Sequence, residues 1–142
     1  MTIDPLSPQD ALVAVMVATS ASDQNMTDNE LVSITAIIDI LPVFEGYDRD
    51  HIARVSNLVA DLFEEEDGLD ALIGLVGQAL PDHLRETAYA LACDVTAADK
   101  LVNIYELRFL EMLRHDLRVG RLAAAAIERG ARARHQRITP QA

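Results

Sequence analysis

Apolar residues recur along almost the whole chain at the three-to-four-residue spacing of an amphipathic helix, and strict alternation over a strand length between turn signals is not evident. The pattern predicts seven helices with short connections. The first starts at Ser7-Pro8, a serine cap with proline in the first turn, and runs to about Ala21. The second covers about Asp28 to Leu41 and ends before Pro42, whose ring would clash inside a helix. Gly46 and Asp48 supply a turn and a cap for a third helix from about Arg49 to Glu66, which Asp67-Gly68 breaks. The remaining helices are expected at about Leu69 to Leu80, Pro81 to Ala98, Ile104 to Asp116 and Gly120 to His135. The pattern therefore describes an all-α compact bundle forming one domain over residues 7–135, with residues 136–142 an expected disordered tail.

Two predicted helices differ from the rest. Ala11 to Ala18 in the first and Ala88 to Cys93 in the fifth are apolar on nearly every side, as expected of helices surrounded by neighbours. They should form the centre. The third and seventh carry charge on one side (Arg49, Asp50, Arg54, Asp61; Arg121, Glu128, Arg132) and belong outside.

Each central helix leads into the same motif. The passage from Ala21 to Leu31 aligns with that from Ala97 to Leu107 at a constant offset of 76 residues, sharing an Asp-x6-Glu signature: Asp23 with Glu30, and Asp99 with Glu106. The repeat is read as a duplicated αα-hairpin. Thr27 and Asn103 are good helix caps, each followed three residues later by a glutamate that can reach back to the cap's N–H. Met26 with Leu31 and Val102 with Leu107 fit a hydrophobic staple in both copies. Capping alone thus accounts for Glu30 and Glu106. Asp23 and Asp99 fall at helix C-terminal ends, where a negative charge opposes the helix dipole. Either they accept backbone N–H bonds in the turns, or the four carboxylates converge on a hard divalent cation. The motif is not an EF-hand: counting from Asp23 or Asp99 puts Ile34 or Leu110 at the twelfth position, where a glutamate is required.

Composition narrows the function classes. Half the residues are hydrophobic, only 4% are aromatic and tryptophan is absent, which leaves Leu, Ile, Val and Ala to build the core. The net charge of −11 is uneven: residues 1–84 carry −14 and residues 85–142 carry +3. That balance argues against nonspecific nucleic-acid binding and favours cations or basic partners. One cysteine, Cys93, cannot form an internal bridge or a multi-cysteine metal cage, and is read as an inert core residue in a cytoplasmic protein. No membrane insertion is expected, since the run Ala11 to Val17 is far too short to span a bilayer. Asp94 lies in the apolar stretch of the fifth helix and needs a partner, either an arginine from one of the last two helices or a ligand. Glu111 and His115 read as an exposed i,i+4 pair, and Glu64-Glu65-Glu66-Asp67 as a solvated helix end. No Glu-x-x-His pair, zinc-protease motif, nucleophile elbow, phosphate loop or dinucleotide fingerprint occurs, so no enzyme is expected.

With these residues in view, the chain resembles the TerB family of bacterial tellurite-resistance proteins over residues 7–135, a family also seen as the N-terminal domain of a membrane-anchored DnaJ-like co-chaperone. The resemblance is clearest at Tyr89-Ala90-Leu91-Ala92-Cys93-Asp94-Val95-Thr96-Ala97-Ala98-Asp99 followed by Glu106-Leu107-Arg108-Phe109-Leu110. It implies a helical bundle with suspected metal ligands at Asp23, Glu30, Asp99 and Glu106, and an accessory role in tellurite or metal-stress resistance. The family's glycine after the aspartate is replaced by Gln24 and Lys100, and an ammonium at Lys100 could neutralise the cluster without metal. The alternative it implies is a metal-free protein-protein interaction module, like the helical domain of the co-chaperone; the His-Pro-Asp triplet of a J-domain is absent. An enzyme would need Asp94, Asp99 and Glu106 together in a closed pocket.

Overall fold

A computed structural model describes residues 6–20, 28–98 and 104–139. These form seven α-helices and no strand: α1 (Pro8–Ser20), α2 (Asp28–Ile40), α3 (His51–Phe63), α4 (Gly68–Ala79), α5 (Arg85–Ala98), α6 (Ile104–Asp116) and α7 (Arg121–Arg134). The helix starts follow local chemistry. Ser7 Oγ accepts the Asp10 N–H at 3.0 Å, the expected cap of α1. Asp48 Oδ1 accepts the Asp50 N–H at 2.9 Å, just ahead of α3.

Several boundaries differ from the periodicity, and three of them have a physical cause. α3 stops at Phe63, three residues early, and Glu64 to Asp67 are exposed, as a solvated helix end should be. The chain must turn there because Gly68 opens α4 hard against α3: a Cβ at Gly68 would sit 1.6 Å from the Leu62 carbonyl oxygen. Only glycine allows that approach. α5 begins at Arg85, because Pro81 is extended and Asp82–Leu84 form a short 3-10 turn first. α2 ends at Ile40, with Leu41 extended before Pro42 as a residue preceding proline prefers.

The expected centre is the centre. Every residue of α1 from Asp10 to Ser20 is buried, and α5 packs along it with Ala88, Tyr89, Leu91, Ala92, Cys93 and Thr96 buried. α3 lies on α1 and α7 lies on α5, while α4 closes against α1, α3 and α6. Gln9 Nε2 ties the head of α1 to the α2–α3 connection by donating to the carbonyls of Val43 and Glu45, each at 3.1 Å.

The duplication runs further than a hairpin. α6 begins and ends 76 residues after α2, and each central helix carries a third helix as well: α1–α2–α3 is repeated in plan by α5–α6–α7, with α4 between. The third helices start 70 residues apart, so the α2–α3 connection is longer than the α6–α7 connection. Among the described residues no helix is long and apolar enough to cross a membrane.

Candidate functional site

Glu30 and Glu106 stand at the third position of α2 and α6, where the helix dipole favours a carboxylate. Glu106 is 2% exposed and Glu30 is half-buried, and the Oε2 atom of each is sealed from solvent. Both residues interact within the chain. α2 rests on α1 and α5, and α6 rests on α5 and α1, so both glutamate-bearing helices share the same central pair. Asp23 and Asp99 lie outside the described residues, as do Gln24, Lys100, the caps Thr27 and Asn103, and the staple residues Met26 and Val102. Among the described residues no group of three or more histidines, cysteines or carboxylates is placed to hold a metal ion.

The turns carrying these glutamates also expose apolar side chains. Val32 is 66% exposed, Ile104 75%, Tyr105 64% and Leu107 55%, so the first turns of α2 and α6 do not present a polar surface alone.

Asp94 has the arginine partner its position requires. Arg134 of α7 donates to Asp94 Oδ1 from Nη2 at 2.6 Å and from Nε at 3.2 Å, with His135 Nε2 at 3.5 Å from the same oxygen. Its carboxylate is therefore committed to α7. Cys93, one residue earlier, is buried, and burial pushes its thiol up to about 11, so it stays protonated and unreactive at neutral pH. The Tyr89 hydroxyl, one turn earlier, donates to Glu128 Oε2 at 2.8 Å. Burial first, and this bond second, raise the tyrosine far above its ordinary value. Glu111 and His115 are both exposed, and no ion pair joins them.

The periodicity passed over Asp10. It caps no backbone with its carboxylate; instead it lies 4% exposed at the head of the central helix and gathers a cluster from the opposite side of the α2–α3 connection. The Tyr47 hydroxyl donates to Oδ1 at 2.9 Å, Arg54 Nη2 donates to Oδ2 at 3.1 Å, and His51 Nδ1 stands 3.5 Å from Oδ1. Burial, then the bond to Asp10, raise the Tyr47 hydroxyl above its usual value. The sequence held one signal: a carboxylate leading a helix that is otherwise apolar all round must be paired.

One cleft stands out for its lining. Between α5, α6 and α7 lies an open groove of about 480 Å³, floored by Tyr89, Cys93 and Thr96 and bordered by Leu107, Leu110 and Ala131. Compared with protein-family models, curated proteins and solved structures, the chain matches none.

Proposed function

We propose that this chain is a cytoplasmic, TerB-like accessory protein of a tellurite or metal-stress resistance system, acting by binding rather than by catalysis. In this reading a divalent cation is bound through Asp23, Glu30, Asp99 and Glu106. The observation that carries it is the equivalence of Glu30 and Glu106: two helices of equal length, 76 residues apart, each present a glutamate with one buried oxygen in the first turn. Carboxylate oxygens are the donors that hard cations such as Mg, Mn and Ca prefer. Asp94, one of the three residues an enzyme would need, is paired with Arg134, which favours binding over catalysis.

The test is a thermal melt of chelator-stripped protein with Mg, Ca, Mn or Zn added singly, repeated on the Asp23→Asn, Asp99→Asn double variant. At a concentration one hundred times the dissociation constant, a cation that binds only the folded state stabilises it by about 2.7 kcal/mol. A midpoint that rises in the wild type and not in the variant supports the cation site. An unmoved wild-type midpoint sinks it.

A second reading, a metal-free protein-interaction module, is favoured by the exposed Val32, Ile104, Tyr105 and Leu107 on the same helix turns. It predicts that replacing these four by serine leaves the melt unchanged while abolishing partner capture.

A further inference from the structure

We infer that the groove between α5, α6 and α7 is a binding site for an amphiphilic carboxylate, its acyl chain lying along the floor and its anionic head held by Arg114 and Arg132. The site adjoins the second acidic motif, sharing Ala97 and Leu107 with it, but does not use its carboxylates and does not depend on the cation reading. Its volume, about 480 Å³, is in the range of small-molecule sites, and its walls are mainly apolar: Tyr89 and Cys93 below, Leu107 and Leu110 from α6, Ala131 from α7. Water against such walls gains few hydrogen bonds, so an apolar chain is the natural occupant.

The polar groups at the rim select the head. Arg114 from α6 and Arg132 from α7 both line the groove, and among the described residues neither guanidinium forms an ion pair or a hydrogen bond. The neighbouring cations are already committed: Arg134 and His135 are both drawn to Asp94. Two carboxylates also reach the groove, and each bears on the choice. Glu128 is engaged by the Tyr89 hydroxyl. Glu111, at the exposed edge, has no ion-pair partner among the described residues and opposes an anion. Two open guanidinium forks against one open carboxylate favour an anionic head, and the fork geometry matches the two oxygens of a carboxylate. Thr96 also lines the floor, 7% exposed, with its hydroxyl oxygen sealed from solvent beneath the groove surface. The location also fits the charge distribution, because residues 85–142 carry +3 while the rest of the chain would repel an anion.

The experiment is isothermal titration of the full chain with dodecanoate below its micelle concentration, beside dodecyltrimethylammonium and inorganic phosphate. One saturable site for dodecanoate is expected, with at least tenfold weaker binding of the other two. The Arg114→Gln, Arg132→Gln double variant should lose at least tenfold in affinity, and Glu111→Gln should gain. Leu107→Asp, at an exposed wall position where folding is not at stake, should also lose binding. Circular dichroism confirms that each variant keeps its helices. Equal binding of the cationic amphiphile, equal binding of phosphate, full affinity in the double arginine variant, or no saturable heat would each overturn the assignment.

Discussion

The two halves of the molecule share a plan and solve it with different side chains. In the first, the outer helix α3 packs on α1 with Ile52, Val55, Val59 and Leu62; in the second, α7 packs on α5 with only Ala124 and Ala131 buried. Branched residues fill the space between helices, whereas alanines bring backbones close. The groove between α5, α6 and α7 lies beside that alanine interface, with Ala131 on its wall. Both halves bind the central helix to its outer neighbourhood with a tyrosine–carboxylate hydrogen bond, but with the roles exchanged. Asp10 on α1 accepts from Tyr47 ahead of α3, and Tyr89 on α5 donates to Glu128 on α7. In the first half the charge is buried at the centre; in the second it stays on the outer helix.

Packing substitutions test this comparison most severely. Leu62→Ala in α3 should cost about 2–5 kcal/mol, read from urea unfolding, because it opens a cavity in a filled interface. Ala124→Leu in α7 should fail for the opposite reason, costing about 1–3 kcal/mol by forcing α7 off α5. A neutral Ala124→Leu would show that the second interface is not close-packed. The exchanged hydrogen bonds come next. Asp10→Ala leaves the Tyr47 hydroxyl and Arg54 without their buried acceptor and should cost about 1–3 kcal/mol, while Glu128→Gln, at an exposed position, should cost less than about 1 kcal/mol.

Alkaline pH acts on both halves through the raised hydroxyls and thiol. These groups hold their protons more tightly when folded, so their contribution is fully present below the unfolded values, 9.0 for Cys93 and 10.0 for the tyrosines, and is lost as pH rises. Stability should fall from about pH 9 to 11 through Cys93. It should fall further above pH 10 through Tyr47 and Tyr89. Cys93→Ala should flatten the first interval, and Tyr47→Phe combined with Tyr89→Phe the second, in melts across that range.

The smallest effect lies at the ends of the paired helices. α2 gives way to Pro42, while the residue 76 positions later, Arg118, ends α6 with φ +56°. Its N–H bonds the His115 carbonyl and that of Val119 bonds Arg114, the pair of bonds that normally surrounds a glycine. Arg118→Gly should therefore raise stability by up to about 1 kcal/mol in the same unfolding assay.

The sequence made the helices, the buried centre and the paired glutamates legible because each rests on local spacing. Its hairpin repeat was too short, since α3 and α7 share a place in the plan but neither a register nor a packing vocabulary. An early stop for α3 could not be read because it depends on the contact of Gly68 with the Leu62 carbonyl, a tertiary constraint. The Asp10 cluster was hidden for a related reason: its partners Tyr47 and Arg54 lie 37 and 44 residues away in sequence. Asp94 was easier, since a carboxylate in an apolar helix demands a cation and the arginines are concentrated near the C-terminal end of the chain. The groove left no local sign, because its lining is drawn from three helices, from Tyr89 on α5 through Leu107 on α6 to Ala131 on α7, that only the fold brings together.

The central functional claim is that the two halves contribute jointly to one cation site. Its most direct test is the stoichiometry of Mn bound to the chelator-stripped chain, measured by titration calorimetry on the wild type and on Glu30→Gln and Glu106→Gln. The account predicts one ion per chain, with affinity falling at least tenfold in either single variant. Two independent ions per chain, each lost with its own glutamate, or no saturable binding at all, would contradict it.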